Sequence, residues 1–481
     1  VLVWLVLAAV ELASGLSEAS QGLADVQQAK AELSAPDLVS QAPATPLEAA
    51  TRSFGSAHAA LTSPLLAPFD IVPVLGRQLG AVQDLSGAAG QASGVAASSV
   101  NELKKVLDTP HTAGPDRITV LRRLSALAAT TNQKLAGIDP GPGKALVGPV
   151  ASKYNEFVAD LDQARTTLVN ASQASAAVAG ILQGPQQYLV LMANNAEMRA
   201  GSGMFLEAGV LSSNGGSLQL GDLTPTGNIP LTPGEVTVSA QLERNWGFLK
   251  PGVDWRNLGL TPQFDVNGQL AASMWQAQTG QHVDGVLAVD VVALTQLLAV
   301  TGPVTLPDGT AITSSNAEQF LLHDQYNGLS YTGTDAAEGV REEQQGALAQ
   351  AEFNALDTES LDLKTLSGAL AGMVSGRHIL VWSADPATEA SWQATGVAGT
   401  LSADSTLVAV LNRGGNKLDP YLQVSCTLQV DGQGGAGTTG TLTVRMKNTT
   451  PPGQGYIGGP FPGLGTVYGE YPGLLAVNLP A

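Results

Sequence analysis

The chain has 481 residues, 44% of them hydrophobic and 13% charged, with 23 Lys+Arg against 41 Asp+Glu, a net charge of −18 and a single cysteine. That length suggests two to four domains with their own cores, and the charged fraction is about half that of an ordinary soluble domain. The acidic balance excludes a phosphate-backbone binder, because the few basic residues are spread along the chain and form no basic face; Cys426 alone excludes a disulfide framework and a thiolate metal cage.

Val1–Val10 is an uninterrupted apolar run that ends at Glu11. Ten residues are half of what a bilayer crossing needs. The run passes into a helical pattern without a cleavage-site signature, so it reads as the end of a transmembrane helix truncated at Val1, with everything after Glu11 outside the cytoplasm. The h-region of a signal peptide and a buried N-terminal helix are the alternatives.

From 11 to 183 the pattern is helical. Leu12, Leu16, Ala19, Leu23, Val26 and Leu33 follow a 4-3-4-3 spacing, and Val150, Tyr154, Phe157, Leu161, Ala164, Leu168 and Ala171 repeat it. Ala-rich helical stretches lie near 85–107 and 116–136, with breaks at Pro64–Gly76, Pro110–Pro115 and Asp139–Gly143. An antiparallel helical bundle or stalk is expected, with the apolar stripes as its seams.

At Gly184-Pro185 the period changes. Tyr188–Met192 reads as a strand, and Met204–Leu211 with Asn214-Gly215-Gly216 and Ser217–Leu220 as a hairpin. A Pro- and Gly-rich stretch (221–262) precedes a helix through Leu270–Gln278, a buried strand Val283–Val289 and a helix through Leu294–Leu298. A small hairpin over 304–313, helices near 315–325, 336–356 and 360–375, and the strand Ile379–Trp382 follow. Alternating strands and helices define an α/β domain over 184–400. The remainder, 401–481, carries Leu407–Leu411, Tyr421–Val430, Leu442–Met446 and Leu474–Leu479 as strands around a glycine-rich turn at 432–440. It is expected to form an incomplete β-sandwich-like module. The fold class is therefore multidomain α+β.

Chemical signatures are sparse. Gly141-Pro142-Gly143-Lys144-Ala145 lacks the upstream glycine and the hydroxyl of a phosphate loop and reads as a turn between helices. No Gly-x-Ser-x-Gly elbow occurs, and His58, His111, His282, His323 and His378 have no metal-ligand spacing. The polar concentration lies in the α/β domain: Asn194, Asn195, Glu197 and Arg199 directly after a strand, then Asp254 and Arg256, then Asp284 and Asp290 flanking a buried strand. Open α/β sheets bind ligands at strand ends. Asn195, Glu197, Arg199, Asp254 and Arg256 are the candidate ligand-binding residues; a satisfied ion-pair and turn network is the competing reading.

These residues carry a resemblance. Gly184-Pro185-Gln186-Gln187-Tyr188-Leu189-Val190-Leu191, followed by Asn194-Asn195-Ala196-Glu197-Met198-Arg199, resembles the actinobacterial domain-of-unknown-function 4012 family. Pro73-Val74-Leu75-Gly76, Asp284–Asp290 with Thr301-Gly302-Pro303-Val304, Trp382-Ser383-Ala384-Asp385-Pro386 and Asn416–Leu422 extend the likeness over roughly 65–425. The resemblance implies one N-terminal membrane helix, an external helical stalk and an α/β domain, with no known activity.

The α/β domain is also distantly similar to the LytR-CpsA-Psr family, which moves glycopolymers from polyprenyl pyrophosphate to peptidoglycan. That likeness implies an arginine at Arg199 beside the first strands. The family's Arg-Ser-Asp is here Arg199-Ala200-Gly201, and its later Pro-Arg-Asp has no counterpart near Pro225. Between Gly184 and Asp290 nine acids stand against four bases, a poor pyrophosphate clamp unless Mg²⁺ is held by Glu197, Asp254 or Asp284. The expectation is a single-pass, extracytoplasmic cell-envelope protein that contacts glycopolymer or an envelope partner, with no nucleic acid and scope for oligomers. A glycopolymer phosphotransferase using Arg199 and Arg256 is the alternative, and an accessory subunit of a larger membrane complex the third.

Overall fold

The computed structural model describes residues 2–33, 44–108, 114–327, 329, 336–358, 361–431, 439–459 and 465–479. The Pro110–Pro115 cluster and the glycine-rich turn at 432–440 lie largely outside them. The chain forms two compact units, one of Val1–Thr112, Asp116–Gly180 and Asp362–Gly368, the other of Ala113–Pro115, Ile181–Leu361 and Ala369–Ala481.

The first unit is helical: α1 (Leu2–Leu33), α2 (Ala44–Leu61), the single turn α3 (Ala67–Asp70), α4 (Leu75–Asp108), α5 (Pro115–Ala136) and α6 (Gly148–Gln183). The seam of α1 differs from the leucine stripe. Its buried positions are Ala8, Gly15, Gly22 and Ala29, seven residues apart, whereas Leu12, Leu16 and Leu23 are exposed. Close approach to α2 explains the exchange: a Cβ at Gly15 would lie 2.6 Å from Leu61 Cγ, and one at Gly22 3.0 Å from the Phe54 ring. Only small residues admit a neighbour that near, so the bulky leucines are turned aside. In α6 part of the second stripe faces inward, with Phe157, Leu161 and Leu168 packed against Ala88, Leu135 and Ile138, while Ala164 and Ala171 are exposed. No helix among the described residues is long and apolar enough to cross a membrane.

The second unit is built on a sheet. The strands β1 (Gln186–Met198), β2 (Gly203–Asn214), β3 (Ser217–Leu220) and β4 (Thr224–Pro225) precede α7 (Ala240–Trp246) and α8 (Phe264–Thr279). Then come β5 (Gly285–Asp290), α9 (Val291–Thr301), the short pair β6 (Val304–Thr305) and β7 (Ala311–Ile312), α10 (Ala317–Leu322), α11 (Ala336–Thr358), α12 (Leu363–Ser375), β8 (Ile379–Ser383) and α13 (Pro386–Thr395). Sheet order is β3-β2-β1-β5-β8, with β4 on β2. β1 and β5 are parallel, with Tyr188 opposite Gly285 and Ala193 opposite Asp290, and the other neighbours are antiparallel.

A sheet with a parallel centre must be covered on both faces, which is why β1 reads as a continuous apolar run. Leu189, Leu191 and Ala193 pack with Phe205, Trp255, Phe264, Met274 and Trp275 on the α8 side. Val190 meets Leu220, Ala349 and Phe353 on the other, where α9, α10, α11 and α12 add Leu294, Leu321, Leu348 and Met373.

After α13 come β9 (Leu407–Asn412), β10 (Leu422–Asp431), β11 (Thr439–Asn448) and β12 (Gly473–Asn478). The four strands fall where the sequence pattern puts them, but among the described residues they make two separate two-stranded sheets, β9 with β12 and β10 with β11, and no sandwich. The first packs Ala409, Leu411, Leu474 and Ala476 onto Ala200, Leu249 and Leu260, so 401–479 belongs to the same compact unit as the large sheet. The second is solvated on both faces.

One glycine positions the end of β1. A Cβ at Gly203 would stand 2.3 Å from Asn194 O and 2.4 Å from its carbonyl carbon, both backbone atoms of the β1–β2 bulge. Gly203→Ala is expected to destabilise the sheet unit by about 1–3 kcal/mol or more, read as a lower urea midpoint.

Candidate functional site

The last residues of β1 leave the regular ladder after Asn194, where the register with β2 shifts. Successive side chains there enter three different sets of partners. Asn194 Oδ1 accepts from Ala196 N at 2.8 Å, while its Nδ2 donates to the hydroxyl of Tyr326. Asn195 Nδ2 donates to Asp290 Oδ2 at 2.8 Å, and its Oδ1 accepts from Val291 N at 3.0 Å. Asp290 closes β5 and caps α9, accepting from Ala293 N at 2.9 Å; its Oδ2 also takes His378 Nδ1 at 2.8 Å. That hydrogen bond raises the His378 pKa above its ordinary value.

Glu197 is buried and forms an ion pair with buried Lys417, which comes from a segment far along the chain. The ammonium also lies 5.5 Å from the Tyr326 ring centroid and 6.0 Å from that of Tyr456, two rings stacked at 5.9 Å. Such a pair is held by the low dielectric around it and by ring faces that favour a cation.

Arg199 is buried, and burial lowers its pKa. Its Nε donates to Arg256 O at 3.0 Å, and its Nη1 to Asn412 O at 2.8 Å and Met198 O at 3.1 Å. The guanidinium thus fastens three backbone segments. Beneath it, Asp419 accepts from Asn412 Nδ2 at 2.8 Å, Tyr471 Oη at 2.7 Å and Met198 N at 3.1 Å. Desolvation outweighs those donors and pushes the Asp419 pKa up to about 6.

The sequence-selected residues are therefore divided. Arg199 and Arg256 meet only through the Arg256 carbonyl; the Arg256 side chain turns away to a fork on Asp254, with Nε to Oδ1 at 2.9 Å and Nη2 to Oδ2 at 2.8 Å. Glu197, Asp254 and Asp284 do not converge as a Mg²⁺ site would need. Glu197 is taken by Lys417, and Asp284 accepts from Gln187 N at 2.7 Å at the start of β1, about 33 Å of extended chain before Glu197. Among the described residues no group of three or more His, Cys, Asp or Glu side chains could hold a metal. Lys417, Asp419, Asn412 and His378 are members of the network that no spacing rule selects, although Asn416–Leu422 is one of the segments carrying the family likeness.

A mixed α/β sheet unit with an internally hydrogen-bonded polar cluster at the end of its first strand, in a chain that also carries a helical unit, is the class of protein these features define. Residues 183–326, which span β1 through α10, match the model of the family described as Protein of unknown function (DUF4012). No curated protein and no solved structure matches the chain.

Two outcomes follow from the cluster. Lys417→Met strands a buried carboxylate and is expected to cost about 3–5 kcal/mol in urea unfolding, whereas Lys417→Met combined with Glu197→Gln recovers most of the loss. The pH dependence has a defined sign. Asp419 binds its proton more tightly folded than unfolded, so its contribution improves as pH falls through about 6 and levels off below its ordinary 3.8. His378, also raised, contributes fully below its ordinary 6.5 and loses this as pH rises through its folded value. The urea midpoint is expected to be higher at pH 5 than at pH 8, with Asp419→Asn flattening the part near 6 and His378→Gln the part above 6.5.

Proposed function

We propose that the chain is a membrane-anchored, extracytoplasmic cell-envelope protein whose sheet unit has a structural or binding role toward glycopolymer or an envelope partner. The observation that carries the non-catalytic part is the state of the cations. A transferase acting on a polyprenyl pyrophosphate needs guanidinium groups facing the phosphates. Arg199 instead spends its hydrogen bonds on the carbonyls of Met198, Arg256 and Asn412, and Arg256 is forked to Asp254. The likeness to LytR-CpsA-Psr enzymes supports a shared ancestry of the sheet unit more than a shared activity, because the arginine at the matching place is tied up in holding the fold. The low charge density and the exposed apolar residues Val6, Leu7 and Val10 at the start of α1 support a location at the envelope with that end nearest the membrane.

The full chain, incubated with a polyprenyl-pyrophosphate-linked saccharide, peptidoglycan and Mg²⁺, is expected to give no transfer. Arg199→Ala should lower stability by about 3 kcal/mol or more, since buried carbonyls lose a charged donor. Arg256→Ala, at a half-exposed pair, should change it by less than about 1 kcal/mol. Transfer that falls at least 100-fold in Arg256→Ala would replace this reading with the enzymatic one.

A further inference from the structure

One end of the helical unit concentrates uncovered apolar residues where three stretches of chain meet. Trp4 of α1 stacks on Phe69 of α3 with ring centroids 5.4 Å apart, and Ala8 joins Leu61, Leu66 and Leu79 in one buried cluster. The turn from α3 to α4 therefore lies beside the first turns of α1. Gln78 of α4 brings in the α5–α6 connection, donating to Ala145 O at 3.2 Å and accepting at 2.9 Å from the backbone N–H of exposed Val147. Around this junction Ile71 is 84% exposed, Val74 64%, Val10 60% and Val6 56%, and Val72 and Leu7 are exposed as well.

We propose, resting on the membrane-anchored reading above, that the 71–75 turn is a second lipid contact: a wedge that enters the bilayer beside α1 and fixes the tilt of the helical unit on it. The turn is built to hold its shape. Val72 N donates to Phe69 O at 3.1 Å, Gly76 N to Val72 O at 2.7 Å and Gln78 N to Val74 O at 3.2 Å. A Cβ at Gly76 would stand 2.3 Å from Asp70 O, so the chain passes itself too closely for any side chain there. Water-facing turns are ordinarily made of Gly, Pro, Asn, Asp or Ser. This one sets Ile71, Val72 and Val74 around Pro73 and holds them out from the surface.

The shape of the patch selects a bilayer over a protein face. At about 3.6 residues per turn, Leu12, Ala9, Val6, Val10 and Leu7 sweep about 220° of the circumference of α1, and all five are exposed. A helix that docks on protein needs an apolar stripe of roughly 100°. On α1 that seam is Trp4, Ala8 and Gly15, on the opposite side, already packed on Phe69 and Leu61. An apolar arc twice as wide as a docking stripe, next to a convex turn, suits a medium that flows around both. No charged residue occurs in 1–10 or in 71–76. Trp4 and Phe69 mark the level of an interfacial aromatic belt; Asp70 and Arg77 border the turn, and Glu11 stands two helical turns beyond Trp4, roughly 10 Å farther out. That spacing matches an apolar surface buried about 5–10 Å into the boundary between headgroups and acyl chains.

Flotation of the full chain with phosphatidylcholine vesicles, joined to an environment-sensitive dye on an introduced cysteine, tests this. Because Cys426 is exposed, the dye is placed in a Cys426→Ser background. At Val74→Cys and at Val6→Cys it is expected to shift to the blue on vesicle binding and to be quenched by brominated acyl chains, whereas at Val169→Cys, an exposed position on α6, it should do neither. Ile71→Asp combined with Val74→Asp should weaken vesicle partition at least ~10-fold, and Val169→Asp should leave it unchanged. A Val6 site that enters lipid while the Val74 site stays in water overturns the wedge and leaves the membrane-anchored reading standing; if neither enters lipid, both fall. Partition that is unchanged in the double variant, or lost equally in Val169→Asp, also overturns the wedge. So does a Val74 dye that shifts with protein concentration and not with vesicles, which would assign the turn to a contact between chains.

Discussion

Removing an ammonium and a carboxylate from water is the constraint around which the sheet unit is arranged. Lys417 and Glu197 are both nearly inaccessible, and neither could be buried at the end of β1 alone. Each therefore makes the other obligatory, and with them the chain between β9 and β10 must come back to the strand that began the unit. The rest of the clasp follows from that return. Arg199 reaches the Asn412 carbonyl, Met198 N reaches Asp419, and Asn412 bridges Asp419 and the Asn416 carbonyl. The β9–β12 ribbon lies on Ala200, Leu249 and Leu260 because its flanking residues are already held there.

The clasp also governs what chemistry the strand end can do. At the carboxyl end of a parallel pair an α/β sheet ordinarily offers free donors and a crevice. Here the donors are spent internally: Asn195 on Asp290, Asn194 on Tyr326, Arg199 on three carbonyls. A buried polar network that is fully engaged rigidifies and specifies a fold, and the same groups left open would recognise a ligand. Asp419 is lifted to about 6 by burial, so its charge changes near neutral pH.

Much of the layout was legible because it rests on local rules. The long helices, the Asn214-Gly215-Gly216 hairpin, the buried strand before Asp290 and the four late strands are set by periodicity and turn chemistry. What was hidden is non-local. The seam of α1 follows Gly15 and Gly22 because Leu61 and Phe54 approach there, and no periodicity of hydrophobic residues records how near a neighbour comes. The helix α2 buries Leu47, Ala50, Phe54, Ala57 and Leu61 at 3-4-3-4 spacing, a stripe diluted by alanine that the leucine-based reading did not pick out. At the site, Glu197 and Arg199 were visible as a charged pair after a strand, but their partners Lys417 and Asn412 lie more than 200 residues away, and Asp284 looked available only until the register placed it at the opposite end of β1.

The same distinction bears on the four late strands. Alternation in β10 and β11 specifies an apolar face and a polar one, and a face of that kind in a β-rich segment suggests a second sheet from the same chain. Alternation cannot say which chain supplies the cover. The inner face of β9–β12 finds Leu249 and Leu260 within its own unit, so its apolar rows are divided between a buried side and a partly exposed one. The hairpin's apolar row is concentrated on one exposed side.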